Sequence, residues 1–350
     1  MTAKLVTAAS NAVNTPGRRR ISASGAASVV TAVGCLWSSS GLVVVGFALI
    51  GVAQGSILLA RAAAADMYPA ERRARGISFV LFGAVFGAAL GPLVWRPLFA
   101  GKHLHAHTLV LPWLVSAGIM AVGLAITFFV RPDPRRIGEA LGYGSELRVN
   151  ASAAPLREIL RRPGVPTALL AAVTSFAIMV AVMNLSGAMV VGHGHSEADT
   201  FWVISAHIVG MYGLVLVVGN LIDRLGRRVA LIGGLAVMAV STLALAWVTG
   251  IGAMSVALFG LGLGWIFSYV AATSELVDLT ALSERGRLVG FSDLVSGLTG
   301  ASLALAGGWA YSGEGVGSVA YAASAIAILP ALWILLVARH RPPAEALEPA

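Results

Sequence analysis

A polar loop between two apolar segments carries the residues best suited to charge chemistry. The stretch GNLIDRLGRR places one carboxyl group, that of Asp223, just before a cluster of arginines. A carboxylate there could accept hydrogen bonds from the N-terminus of a neighbouring helix, while the arginines reach anionic lipid or nearby carboxylates. The loop would then act as a conformational latch; alternatively, its arginines only set the membrane orientation. The predicted latch residues are Gly219, Asp223, Arg224, Gly226, Arg227 and Arg228.

A single basic residue, Arg61, lies within an apolar segment. An unpaired arginine at hydrocarbon depth costs at least about 2.5 kcal/mol, so it needs a partner or an exit to water. Arg61 could bind an anionic substrate or pair with Asp66. The end of its segment is under about 10 Å away, so its side chain could instead extend to the membrane surface. The sequence leaves both roles open.

Three acidic residues of the second half lie near the membrane: Glu275, Asp278 and Asp293. A carboxyl group kept neutral by burial could carry a coupling proton. Asp293 lies a turn or more inside its apolar segment and is the better proton candidate. Glu275 and Asp278 are predicted at a helix end, facing Arg285 and Arg287.

Three further polar residues could line a path through the membrane: Asn184, His207 and Thr273. His207 is the one histidine inside an apolar segment, where it could bind substrate or a proton. Hydrogen bonding between helices is the alternative for each of the three, because polar side chains commonly join helices in membranes. For His207 we favour that alternative.

Other site chemistry finds no support in the sequence. No catalytic constellation stands out, so we predict no enzyme and no catalytic residue. The glycines of 260–264 lie inside an apolar segment, without the strand or lysine of a phosphate cradle. Five histidines occur in loops without a nearby fixed carboxylate or thiolate, so no metal site and no cofactor is predicted. These histidines are His103, His105, His107, His193 and His195.

The composition indicates which kind of secondary structure positions these candidate site residues. Of the 350 residues 57% are hydrophobic and 11% charged, whereas soluble chains average about 25% charged residues. Continuous apolar runs, without alternation, predict membrane helices rather than a barrel. A span needs roughly 20 residues, and ten runs approach or exceed that length: 21–38, 41–65, 76–95, 108–130, 165–191, 201–222, 229–249, 251–274, 288–309 and 318–338. We therefore predict an all-α polytopic membrane protein.

The basic residues orient these helices. Loops on one side hold 21 of the 24 Lys and Arg residues. Short loops with this bias face the cytoplasm, so both termini are predicted inside. The net charge of +8 is then a topology signal, and no nucleic-acid partner is predicted.

The chain also repeats itself. Residues 17–66 and 226–275 share a Gly-Arg-Arg start, two glycines and a terminal acid, each pair 209 positions apart. Two parallel halves around a charged central loop are typical of transporters. The predicted domains are a four-helix first half (1–130), a cytoplasmic linker (131–164), a six-helix second half (165–340) and a cytoplasmic tail (341–350).

The stretch from Gly219 to Arg228 resembles the cytoplasmic signature of the major facilitator superfamily: a Gly, then Asp-Arg-x-Gly-Arg-Arg four residues on. Residues 61–78, 207–223 and 264–278 also look like a bacterial branch of this superfamily. The resemblance covers almost the whole chain. It implies a two-fold helical bundle in the bacterial inner membrane, with about ten helices at family positions three to twelve.

Two departures from the family pattern accompany this resemblance. Gly87, Gly91 and Pro92 resemble the helix-packing core of the motif in drug-proton antiporters, but Trp95 and Arg96 stand where further glycines are expected. The first copy of the signature survives only as its basic tail, with Asn14 where the second copy has Asp223. Since residues 1–16 cannot supply two spans, the first two family helices are expected to be absent, through a late start, a fragment or a real truncation.

By resemblance, the function is secondary active transport of a small solute, as proton-coupled efflux by alternating access. The implied partners are membrane lipids, a small-molecule substrate and H⁺. The alternatives are an uptake symporter of the same fold, or a truncated protein that does not transport and is a remnant or a sensor. The sequence leaves the substrate, the direction, the coupling ion and the oligomeric state open.

Overall fold

The computed structural model describes residues 22–58, 68, 72–99, 105–127 and 154–336. Regular structure within these ranges is helical, without a strand, which confirms the predicted all-α class. The helices, numbered in chain order, are α1 Ser22–Leu36, α2 Ser40–Leu58, α3 Arg73–Phe82, α4 Ala84–Phe99, α5 Val110–Thr127, α6 Leu156–Ile159, α7 Val165–Gly192, α8 Thr200–Tyr212, α9 Val215–Leu225, α10 Arg227–Ala244, α11 Ile251–Asp278, α12 Leu282–Glu314 and α13 Val316–Leu336.

Each of the ten predicted segments contains at least one helix within its described residues. Within the described ranges, six helices are long and apolar enough to cross a membrane: the α5 segment, α7, α10, α11, α12 and α13. A seventh span results if α8 and α9, which meet at a bend of 41°, are taken together. The remaining three segments contain α1, α2 and the pair α3 and α4, which is interrupted at Gly83. The protein is therefore a multi-pass membrane protein.

The start of α12 differs from the predicted segment. The helix begins at Leu282, before the apolar run that starts at 288. Its polar first turn is stabilised because the Glu284 carboxylate accepts a hydrogen bond from the Ala281 backbone N–H at 3.2 Å. A side-chain acceptor in the first turn satisfies one of the donors that a helix N-terminus leaves free.

Helix α11 lies at the centre of the second half, where it packs against α7, α8 and α10. Small residues allow this packing to be close. A Cβ atom added to Gly264 would lie 2.6 Å from the backbone oxygen of Gly234 on α10. Helices α12 and α13 complete the half by packing against α7 and α10. Close backbone approach at glycines is the usual way in which membrane helices gain packing energy.

In the described residues the two halves meet mainly where α3 packs against α9 and α4 against α8, with smaller contacts of α3 with α11 and of α2 with α12. The described part of the linker packs beneath the second half. There the fully buried Ile159 of α6 joins an apolar cluster with Val165, Leu276 and Leu288. The linker is thus attached to the second half by a small hydrophobic core of its own.

Large apolar side chains cover much of the outer surface. On α12, Leu305 is 79% exposed and Trp309 is 83% exposed. Apolar exposure on this scale marks a surface that another apolar phase covers. In a chain with several membrane-spanning helices, that phase is lipid.

Candidate functional site

The signature loop forms a tight turn between α9 and α10, and we call this end of the bundle the signature end. Gly226 separates the two helices with φ 87° and ψ 151°. Residues with a Cβ atom rarely adopt a positive φ of this kind. The glycine therefore allows α10 to begin directly at Arg227.

Asp223 contacts the other half of the molecule. The backbone N–H of Arg75 donates a hydrogen bond to Asp223 Oδ2 at 3.3 Å, and the backbone of Ala74 also donates to this carboxylate. Both donors lie in the first turn of α3, which no side chain at its N-cap position satisfies. A residue of the second half thus caps a helix of the first half, where the helix dipole favours negative charge.

Gly219 lies one turn before Asp223 on α9 and allows α9 to approach α3 closely enough for this contact. A Cβ atom at this position would collide with Ser78 Oγ and would lie 3.0 Å from the backbone oxygen of Ala74. Any larger residue would push α9 away from α3. The glycine and the carboxylate of the signature therefore serve the same contact between the halves.

Arg227 links the turn to the end of α11. Its guanidinium lies 3.6 Å from Asp223 Oδ1 and 3.0 Å from Asp278 Oδ2. Glu275 lies one turn before Asp278 on α11. Its carboxyl group is near enough to interact electrostatically with both Arg227 and Asp278. The structure thus brings four of the predicted residues together, with one arginine between acids from two helices.

Two other arginines of this end, Arg228 and Arg285, bind helix C-termini. The Arg228 guanidinium donates to the backbone oxygens of Ile334 and Leu335, each at 3.0 Å, at the end of α13. Arg285 Nε donates to Val277 O at 3.1 Å and to Thr280 O at 3.3 Å, around the end of α11. Cations are favoured there by the helix dipole. Arg287 donates to Ala154 O at 2.8 Å, and Arg224 is exposed.

Asp293 lies apart from this cluster. It is eleven residues into α12, about 17 Å along the helix at 1.5 Å per residue. The Tyr269 hydroxyl of α11 donates to Asp293 Oδ1 at 3.4 Å. Asp293 is therefore the predicted acid that the structure places deepest in a described span.

The remaining predicted path residues do not form one site in the described residues. His207 is fully buried, and its Nδ1 bonds to Leu258 O at 2.9 Å, so it joins α8 to α11. Asn184 donates to Val180 O of its own helix at 2.7 Å, and Thr273 is buried in α11. Only His207 shows the predicted alternative of a hydrogen bond between helices, because Asn184 is exposed and bonds within α7.

Three further predictions gain no structural support. Arg61 and Asp66 lie outside the described residues. Gly87, Gly91 and Pro92 lie in α4, but a Cβ atom at either glycine would meet no described atom within 4 Å. Close helix packing at these glycines therefore stays a prediction.

A bidentate ion pair at the signature end was not predicted. Arg162 of the linker bonds Glu284 of α12 through both nitrogens, at 2.6 Å and 2.9 Å. Glu284 also accepts from the Ala154 backbone at 3.1 Å. The hydrogen bond to Glu284 raises the pKa of Arg162 above its ordinary value. The sequence signal was weak, because the two residues are 122 positions apart.

A second unpredicted feature is a contiguous set of four aromatic rings, which we call the aromatic column. It consists of Phe176 on α7, Tyr212 on α8, and Trp265 and Tyr269 on α11. Ring centroids are 5.8 Å apart for Phe176 and Tyr269, 4.6 Å for Tyr269 and Trp265, and 6.0 Å for Trp265 and Tyr212. All three distances are typical of interacting aromatic pairs.

A two-part bundle of apolar helices whose parts meet at a charged contact is the architecture of a membrane transporter. The family model of the Major Facilitator Superfamily matches residues 9–274 and, in a second match, 167–350. The chain belongs to the Major Facilitator Superfamily, which confirms the resemblance.

Relatives extend this result. The chain is 30% identical over 279 residues to the riboflavin transporter RfnT of Brucella anthropi, covering 77% of this chain and 66% of that protein. It is 27% identical over 314 residues to YddS, an uncharacterised transporter of Bacillus subtilis, covering 87% and 71%. The chain thus spans about two thirds of the length of these relatives.

Solved structures share the fold. The proton:xylose symporter XylE superposes with a TM-score of 0.67 at 12% identity, over 92% of this chain and 80% of that one. The human organic anion transporter MFSD10 gives 0.64 at 13% identity, over 91% and 77%. At these identities the comparison concerns the fold alone.

Proposed function

We propose that this chain is a secondary active transporter of a small solute, with alternating access coupled to protons and directed toward efflux. The contact between Asp223 and the N-terminus of α3 carries the proposal. It joins the two halves at one end by a bond that rigid-body motion of the halves would break. Charge contacts that differ between two states are what an alternating-access cycle requires.

The contact has a suitable strength for such a cycle. A carboxylate at a helix N-terminus stabilises by roughly 0.3–2 kcal/mol. That energy shifts a conformational equilibrium severalfold without locking it. The latch role of Gly219, Asp223 and Arg227 in this cycle is part of the proposal.

Asp293 is the proposed coupling acid. It is a carboxyl group eleven residues into a spanning helix, and acidic residues at such positions commonly mark proton pathways in transporters. The hydroxyl of Tyr269 donates a hydrogen bond to this carboxyl group at 3.4 Å. A solute that donates a hydrogen bond to the same carboxylate would compete with the proton for it. Such competition would allow the protein to exchange solute for protons.

The likeness to a riboflavin transporter makes riboflavin the first solute to test. The proposed efflux direction rests on the antiporter-like Gly87, Gly91 and Pro92. Proteoliposomes with the full chain should therefore move riboflavin when a pH gradient is imposed, in the direction opposite to proton flow. Movement with the protons would indicate an uptake symporter. Absence of flux for riboflavin and for a panel of other small solutes would indicate a protein that does not transport.

Asp293→Asn tests the coupling acid. It removes the titratable proton with little change in shape, so gradient-driven flux should fall at least about tenfold while solute binding persists. Glu314→Gln is the matched control, because Glu314 is exposed at the far end of the same helix. If Asp293→Asn still moves solute against its gradient, Asp293 is structural and the coupling role belongs elsewhere.

The proposed location is the bacterial inner membrane, with both termini and the 131–164 linker in the cytoplasm. In a Cys35→Ser background, cysteines at Ser145 and Ser196 should differ in their reaction with an impermeant thiol reagent on intact cells. Only the Ser196 position should be labelled, because the predicted outer loop contains it. Equal labelling of both positions contradicts the orientation.

A further inference from the structure

We propose that the aromatic column is a recognition site for a flat, conjugated solute with a hydrogen-bond acceptor, and that Trp265 Nε1 is the donor that binds it. This inference rests on the proposed transport function and specifies its substrate class. It starts from the position of the four rings in the membrane.

The column lies at the middle of α11, a 28-residue helix of the second half. Trp265 is fourteen residues from the first residue of α11 and thirteen from the last, about 20 Å from either end at 1.5 Å per residue. Substrate sites of transporters lie near the bilayer midplane, where a solute is equally accessible from both sides. The column is at that depth.

A helix break adjoins the column. Tyr212 is the last residue of α8, and the chain bends by 41° before α9 begins at Val215. Interrupted membrane helices mark binding sites, because their free backbone groups and altered direction make room for a ligand. The Tyr212 ring packs edge-on against Trp265 at this break.

Two buried polar atoms near the column have no hydrogen-bond partner among the described residues. The indole Nε1 of Trp265, a residue only 2% exposed, is one of them. The other is Ser296 Oγ, one helical turn beyond Asp293 on α12, in a residue 1% exposed. A serine hydroxyl can turn toward its own helix, but an indole N–H can only donate. An unsatisfied buried donor is costly, and an acceptor carried by a ligand would remove that cost.

The column differs from ordinary core packing in this half. Among the described residues of 165–336, Trp265 and Tyr269 are the only aromatic side chains less than a tenth exposed. Phe176 and Tyr212, at the two ends of the column, are partly exposed. An aliphatic core would fill the same space without a buried N–H group. The column instead places aromatic faces and one unsatisfied N–H group together at the centre of the half.

Together these groups define the solute chemistry. The rings offer faces for stacking, and the Trp265 indole offers one hydrogen-bond donor. The carboxyl group of Asp293, which is hydrogen-bonded to Tyr269 of the column, offers an acceptor. The solute class is therefore a planar heteroaromatic with a ring carbonyl and a ring N–H. Stacking on aromatic side chains tolerates many ring systems. The site should therefore discriminate more strongly between flat and non-flat solutes than between different flat ring systems.

The test measures equilibrium binding of riboflavin to the purified full chain in nanodiscs. Lumichrome, which keeps the flat ring system without the polyol chain, should compete with riboflavin, whereas ribitol, which is the chain without the ring, should not. Trp265→Phe keeps a ring but removes the N–H and should weaken binding about tenfold. Trp247→Phe is the matched control, since Trp247 is 65% exposed, and should bind normally.

The outcomes separate this inference from the transport proposal. If neither riboflavin nor lumichrome binds, or if ribitol competes as well as lumichrome, the solute class is wrong. If binding is equal in wild type, Trp265→Phe and Trp265→Leu, the site is wrong. Either result leaves the transport proposal standing when a non-aromatic solute shows proton-driven flux. Binding that depends on Trp265, without flux of any solute, supports the site and contradicts transport.

Discussion

Helix α11 of the second half and helix α5 of the first half are both apolar but are buried to very different extents. In the second half, half of the most apolar window of α11 is buried within the protein, whereas none of the corresponding window around α5 in the first half is buried. The mean hydropathy of the two windows is comparable, at 1.8 and 2.2. Hydropathy therefore identifies membrane helices without distinguishing those that face protein from those that face lipid.

Glycine positions show the same contrast. Gly234 and Gly264 of the second half face backbone atoms of each other's helix, so neither can carry a side chain without displacement. At Gly118 and Gly123 in α5, a Cβ atom would meet no described atom within 4 Å. Close packing at glycines is not confined to the second half, because a Cβ atom at Gly46 of α2 would lie 2.9 Å from the backbone nitrogen of Thr31 on α1. The contrast is therefore between the pair α10 and α11 and the helix α5, which should respond differently to the same substitution.

The largest expected effect comes from Gly264→Ala. The added methyl group would lie 2.6 Å from Gly234 O and 2.8 Å from Met238 N, and backbone atoms cannot move aside as a side chain can. Overpacking of this kind costs about 1–3 kcal/mol. Thermal unfolding of the detergent-solubilised full chain should show a clear loss of stability.

Gly118→Ala in α5 is the matched control, with an expected change within about 0.5 kcal/mol. Equal losses of stability for the two substitutions would contradict the contrast between α11 and α5. A loss of stability only for Gly118→Ala would mean that α5, rather than α11, is the closely packed helix.

A smaller effect is expected from Glu284→Gln, which tests how the linker is attached to the second half. The substitution removes the charge that holds Arg162, but Arg162 is about a third exposed, so solvent screens much of the loss. We expect a change of about 1 kcal/mol, or about fivefold in the open population of residues 154–162. Hydrogen exchange in that segment measures it.

Glu158→Gln provides the comparison, because Glu158 is exposed on α6 and influences Arg162 only at a distance. Its exchange should stay near that of the wild type. Unchanged exchange in Glu284→Gln would mean that the apolar cluster around Ile159 holds the linker without the ion pair.

Local spacing made part of the site predictable. Asp223 and Arg227 are one helical turn apart in sequence, and the GNLIDRLGRR stretch by itself indicates a basic turn between two helices. Apolar runs likewise predicted the helices, because membrane spans require continuous hydrophobicity. Features that depend only on neighbours in the chain are therefore predictable from the residues alone.

Contacts between distant helices could not be predicted in this way. The pair of Arg162 and Glu284 and the aromatic column depend on how α7, α11 and α12 are rotated against one another. That rotation follows from the packing of glycines and methyl groups, which hydropathy does not resolve. The same reason explains why the sequence could not decide between a polar path and hydrogen bonds between helices for Asn184 and Thr273.

The smallest expected effect concerns the contact that joins the two halves. Asp223→Asn removes the charge at the N-terminus of α3 and the attraction to Arg227, while an amide oxygen can still accept from Arg75 N–H. The loss is therefore a part of the roughly 0.3–2 kcal/mol of a carboxylate at a helix N-terminus. The conformation open at the signature end should become about two- to fivefold more populated, with normal expression.

A reporter cysteine at the exposed Ser283, in a Cys35→Ser background, measures this shift through its rate of labelling in inside-out vesicles. Asp223→Ala also removes the hydrogen-bond acceptor, so its labelling rate should exceed that of Asp223→Asn. Arg227→Gln keeps the cap on α3 and should have less effect than either. This order separates the cap from the ion pair, since an ion-pair latch would make Arg227→Gln equal to Asp223→Asn. If all three variants label like the wild type, the contact does not bias the two states, and the signature loop serves only to orient the helices.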